Sequence, residues 1–124
     1  MLLLPVRRLI TVTATTKTPA KLRRWYFALC SLLVEATGRW PTKEIAHKEF
    51  MFLAGMVESI VISTNGDYRT TPVSTAAWDY SDWRAYLDRL MPIILERFVG
   101  ESRAAFRNRV DAFVGIKFKE AWEG

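Results

Sequence analysis

The sequence predicts an α+β fold in which a small antiparallel sheet, made of an N-terminal strand and an Asn-Gly hairpin, packs with about four helices in the order β-α-α-β-β-α-α. Three observations lead there. Apolar residues recur at helical spacing in four stretches, a β-branched run lies near the start, and Asn65-Gly66 separates two β-rich runs. At 124 residues, 50% hydrophobic and 25% charged, the chain suits a single domain, residues 1–124, with one core.

Val6 to Thr15 reads as a strand, since Leu9, Ile10 and Val12 stand among threonines. Thr18 is placed to cap a first helix with Pro19 at its first position, where a missing N–H costs nothing. Leu22, Trp25, Tyr26, Leu29, Leu32, Leu33 and Ala36 then form one apolar face, and Gly38 supplies the stop. After the connector Arg39-Trp40-Pro41, Thr42 caps a second helix that runs to about Leu53 and ends at Gly55. The hairpin joins Met56–Ser63 to Tyr68–Val73 through Thr64-Asn65-Gly66-Asp67. Ser81 is expected to cap a third helix ending near Phe98, with Pro92 kinking it or ending its first half. A fourth helix from about Ser102 to Val114 points Phe106, Val110, Phe113 and Val114 inward.

Charge is distributed unevenly. Nine Lys/Arg face two Asp/Glu from Met1 to Lys48, a net of +7; nine face eleven from Glu49 onward, a net of −2; together they make the overall +5. Lys17, Lys21, Arg23 and Arg24 gather at the start of the first helix beside Trp25, Tyr26 and Phe27. Cations so placed neutralise phosphates and release counterions, and aromatic rings offer flat surfaces to unstacked bases. Trp40 stands between helices beside Arg39 and Lys43, a stacking candidate whose alternative role is to close the end of the core. Trp78, Tyr80, Trp83 and Tyr86 could form a platform, but Trp83, Tyr86, Leu87, Leu90 and Ile94 fit a core-facing helix stripe better. A solvated cationic face opposite an apolar stripe is the plain alternative for the basic helix.

Catalytic motifs are lacking. His47 is the single histidine, and one Glu44-x-x-His47 pair cannot fill a metal shell, so a surface histidine is expected. There is no Gly-x-Ser-x-Gly and no glycine-rich phosphate loop. Asp79, Asp82, Glu58 and Asp67 match no nuclease spacing. The expectation is a non-enzyme with no catalytic residue, cofactor or metal. Cys30, alone, excludes an intramolecular disulfide and fits a reduced cytoplasm. No segment approaches the roughly 18 apolar residues of a membrane span, and the opening apolar run is too short for a signal peptide.

Lys17-Thr18, then Arg23-Arg24-Trp25-Tyr26-Phe27-Ala28-Leu29, Gly38-Arg39-Trp40, the Asn-Gly turn, Ser74-Thr75 and Tyr80-Ser81-Asp82-Trp83-Arg84-Ala85-Tyr86-Leu87 together resemble the NinB group of phage recombination proteins, over about Ile10 to Leu95. Lys21-Leu22 replaces the family's polar Gln-Asn pair, and the strand and helix that precede its second strand are missing. The resemblance implies a dimer that prefers single-stranded DNA and works with single-strand binding protein to load a recombinase. The reading is a cytoplasmic phage or prophage accessory protein, a recombination mediator and homodimer, that binds single-stranded nucleic acid, DNA before RNA. Lys17, Lys21, Arg23, Arg24, Arg39 and Lys43 would contact phosphates, with Trp40 and Tyr26 stacking on bases. The alternative is a small phage inhibitor or adaptor, such as an anti-CRISPR protein, whose aromatic excess anchors a protein interface.

Overall fold

The computed structural model describes residues 19–61 and 68–123. Five helices and a two-stranded antiparallel sheet follow one another as α1 (Ala20–Thr37), α2 (Lys43–Leu53), β1 (Val57–Val61), β2 (Tyr68–Pro72), α3 (Tyr80–Arg97), α4 (Arg103–Val114) and α5 (Phe118–Glu123). This is an α+β arrangement dominated by helix. The expected strand at Val6–Thr15, the Thr18 cap and the Thr64–Asp67 turn lie outside the described residues.

α1 is the central element and touches all four other helices. It buries Leu22, Trp25, Tyr26, Leu29, Cys30 and Leu33, which interlock with Phe50 and Met51 of α2, Trp83 to Ile94 of α3, Phe106 and Val110 of α4 and Phe118 of α5. Large side chains removed from water in this way contribute about 1.5–3 kcal/mol each. Pro19 takes the cap position itself, one residue later than the expected Thr18, and its carbonyl accepts the Arg23 N–H at 2.9 Å. Gly38 ends α1 at φ 65°, in the left-handed region that a side chain would strain.

Thr42 caps α2 as expected, its hydroxyl accepting the Ile45 N–H at 3.2 Å. At the other end Gly55 turns through φ 75°, so that its N–H reaches the Phe52 carbonyl and the Met56 N–H reaches that of Met51. This paired closure satisfies two carbonyls that the helix cannot and leads straight into β1. β1 pairs with β2 from Val57 opposite Pro72 to Val61 opposite Tyr68.

α3 departs from expectation at its start. Asp79, not Ser81, is the cap: its carboxylate accepts the Asp82 N–H at 3.0 Å while that of Asp82 accepts the Asp79 N–H at 3.1 Å. A reciprocal carboxylate pair satisfies two orphan donors where a serine satisfies one. The helix also continues through Pro92, whose exposed position leaves the bypassed carbonyl near water. Two α3 arginines then serve other helices. Arg89 donates to the Ala54 carbonyl at 2.9 Å, at the end of α2, and Arg84 donates through Nε to the Trp122 carbonyl at 2.8 Å, in the last turn of α5.

In α4, Phe106 and Val110 are buried, whereas Phe113, expected inward, is 44% exposed. α5 carries no sequence expectation. It is held by Asp111, which accepts from Trp25 Nε1–H at 2.7 Å and from the Phe118 N–H at 3.0 Å. Replacing Asp111 by Ala should therefore cost about 1–3 kcal/mol for each N–H left without an acceptor. Urea unfolding measures this, and an unchanged midpoint would show that α5 and Trp25 hold without it.

Candidate nucleic-acid interface

The two aromatic residues expected to stack on bases are interior. Trp40 is 5% exposed and packs edge-on against Phe50 and Phe98, with ring centroids 5.2 and 5.1 Å away. Tyr26 is 0% exposed. A base needs a free ring face, so neither side chain can supply one in this fold, and Trp40 closes the end of the core instead. Of the platform residues, Trp83 and Tyr86 are buried, and Trp78 covers both at 5.0 and 5.3 Å.

The expected phosphate contacts divide. Arg23, Arg24 and Lys43 come together around one concave pocket of about 470 Å³, whose remaining wall is Phe27, Glu44, His47 and Thr75. Helical geometry explains the first part: Arg23 and Phe27 are one turn apart on α1, and the Arg23 guanidinium lies over the Phe27 ring, 5.4 Å from its centroid. α2 supplies Lys43, Glu44 and His47 from its first two turns. Thr75 arrives from the loop after β2, where a turn is closed by the Trp78 N–H donating to the Thr75 carbonyl at 3.1 Å. Lys21 and Arg39 are exposed but do not line this pocket, and the Arg39 guanidinium sits over Phe98, 5.0 Å from its centroid. Lys17 lies outside the described residues.

His47 is the residue whose part the sequence did not suggest. Instead of an exposed surface position it is half-buried, with Nδ1 2.7 Å from the Tyr26 hydroxyl, which is in turn 2.6 Å from that of Tyr86. Every hydroxyl proton finds an acceptor if Tyr86 donates to Tyr26 and Tyr26 donates to Nδ1. That order puts the neutral ring's proton on Nε2, the nitrogen left over for the pocket. Burial, with the added push of Arg23 and Lys48 against the pull of Glu44, holds the His47 pKa below its ordinary value. Burial likewise raises both tyrosines well above the usual phenol range and pushes the neighbouring Cys30 thiol up to about 12. The chain is thus a neutral hydrogen-bonded relay, not a nucleophile with its base. The spacing of Tyr26, His47 and Tyr86 along the chain has no period that could reveal it.

Asp79 and Asp82 are engaged in their mutual cap, and among the described residues no three His, Cys, Asp or Glu side chains come together as a metal site. Among them, too, no helix is long and apolar enough to cross a membrane. No family model, no curated protein and no solved structure matches the chain.

Two outcomes are expected. Trp40→Ala should destabilise the fold by about 3–5 kcal/mol, as for other buried large aromatics, with any effect on ligand binding following the loss of fold. The pH dependence of stability should carry a His47 component. An unfolded histidine takes up a proton near 6.5 while the folded ring stays neutral to lower pH. Stability therefore falls as pH drops below that value until the folded ring itself titrates. Urea midpoints at about pH 7.5 and about pH 5.5 should differ more for wild type than for His47→Gln; equal differences would mean the ring titrates normally.

Proposed function

We propose that this chain is a non-enzymatic accessory protein that binds single-stranded nucleic acid, with DNA preferred. The observation that carries the reading is the convergence of Arg23, Arg24 and Lys43 on one pocket beside the half-buried ring of Phe27. Long-range attraction from three cations brings the backbone in, and the low-dielectric wall behind them strengthens each contact relative to open water. Phe27, packed against Tyr26 and His47 beneath the Arg23 guanidinium, backs the cations and offers no open ring face for stacking. Lys21, exposed on α1 one turn before Arg24, extends the positive field along the helix.

The finer reading, a phage or prophage recombination mediator that acts as a homodimer in the cytoplasm with single-strand binding protein or a recombinase, rests on the NinB resemblance. A second reading, an inhibitor or adaptor acting by protein–protein binding, is favoured by one observation: Ile45 and Phe52, two turns apart on α2, are 45% and 46% exposed. Large apolar side chains on one exposed helix face suit a protein partner.

Salt separates the two. Fluorescence anisotropy of a labelled single strand, titrated at several salt concentrations without added metal, should give a steep negative slope of log affinity against log salt. Arg23→Ala with Arg24→Ala should flatten that slope by about one to two units, since each single-strand phosphate contact contributes roughly 0.7. Both positions are exposed and alanine favours helix, so the fold should be unaffected. Wild-type affinity and slope in the double variant would remove Arg23 and Arg24 as the phosphate contacts, and no binding of the strand by wild type would remove the nucleic-acid reading and leave the α2 face as the functional surface.

A further inference from the structure

We propose that the pocket between α1, the start of α2 and Thr75 is a receptor for the terminal phosphomonoester of a single strand, so that the protein recognises strand ends rather than only the backbone between them. This rests on the reading that the chain binds single strands, and it goes further in naming which part of the strand the pocket takes. Four features lead to it.

Charge is the first. Arg23, Arg24 and Lys43 bring three positive charges and Glu44 one negative, and His47 is neutral, so the pocket carries a net of +2. An internal phosphodiester brings about −1, which leaves half of that unmatched, whereas a terminal phosphomonoester brings about −1.5 to −2 at neutral pH. Among the described residues none of the three cations is in an ion pair.

Donor supply is the second. Two guanidinium forks, an ammonium and the His47 ring line the pocket from two helices. A monoester presents three terminal oxygens to such a set and a diester two. With Tyr86 donating to Tyr26 and Tyr26 to Nδ1, the order in which every hydroxyl proton has an acceptor, the histidine adds a further donor through Nε2.

Shape is the third. At about 470 Å³ the pocket falls in the range of small-molecule sites, about 300–1,000 Å³, room enough for one nucleotide in a shallow, open depression. The fourth feature is the wall: Phe27, half-buried beneath the Arg23 guanidinium, leaves only an apolar edge for a terminal sugar to rest against.

The test uses the full chain and three single-stranded oligonucleotides of one sequence, carrying a 5′-phosphate, a 3′-phosphate or hydroxyls at both ends, compared by anisotropy at one salt concentration. One phosphorylated form should bind at least about tenfold tighter than the hydroxyl form, and which one it is identifies the end. Lys43→Ala and the Arg23→Ala, Arg24→Ala double variant should each reduce that advantage, the double variant to near unity, while circular dichroism stays that of wild type. Equal affinity for all three oligonucleotides overturns end recognition and leaves single-strand binding standing. A preference that survives in the double variant also overturns it, since the end would then be read elsewhere. No binding to any of the three removes both readings.

Discussion

Trp25 and Tyr26 are adjacent on α1 and fully buried, yet each carries a polar atom that cannot be left unpaired in an apolar interior. The rest of the molecule is arranged around meeting those two needs on opposite flanks of one helix. Trp25 directs its N–H to Asp111, which binds α4 and, through the Phe118 N–H, the start of α5. Tyr26 directs its hydroxyl to His47 and Tyr86, which binds α2 and α3. Apolar burial supplies most of the driving force, but it is indifferent to small slips of one helix along another. Directional bonds at 2.6–2.7 Å are not, and they set which turns of the outer helices face α1.

The basic pocket follows from that register. With Tyr26 turned inward, Arg23 and Phe27 fall on the flank that faces α2, and drawing His47 to Tyr26 brings Glu44 and Lys43, on the turn before it, to the same place. Cations that would otherwise be scattered along two helices are thereby gathered beside a half-buried wall, where burial first, and then the charges of Arg23 and Lys48, lower the His47 pKa. Burial likewise keeps the tyrosines and Cys30 protonated.

Aromatic residues do unusual structural duty for a chain of this length. Trp40, Phe50 and Phe98 close one end of the core, Trp78, Trp83 and Tyr86 another, and Trp25 with Phe118 the flank by α5. Cationic guanidinium groups lie over several of the outer rings: Arg39 over Phe98, Arg84 over Tyr80, and Arg107 over Phe118 at 4.1 Å. Such planar groups cover ring faces, Arg39 while exposed to water and Arg107 with its Nε buried against Phe118. The large apolar side chains left at the surface are Ile45, Phe52 and Phe113 among the described residues.

Legible in the residues alone were the α+β class, the apolar face of α1 and its stop at Gly38, the ends of α2 and α4, the hairpin pairing and the preference of Trp83 and Tyr86 for the core. These are legible because periodicity, caps and glycine stops act within a few residues and repeat along the chain. The sequence also named Arg23, Arg24 and Lys43 as candidate phosphate contacts, though not that they share a pocket from which Lys21 and Arg39 stand apart. Packing decided that Trp40 closes the core and faces no base, that Tyr26, on the expected apolar face, spends its hydroxyl on His47 and Tyr86, that Asp111 holds a fifth helix, and that His47 stands at the end of a tyrosine relay. Each of those outcomes depends on a partner outside the local pattern, as Asp111 is 86 residues from Trp25 and Tyr86 is 60 from Tyr26, whereas the cap expected at Ser81 gives way to a local exchange between Asp79 and Asp82. A local pattern cannot say which of two amphipathic rings, each suited to a core or to a surface, will meet its hydrogen-bond partner in the interior; the packing of four helices around α1 does.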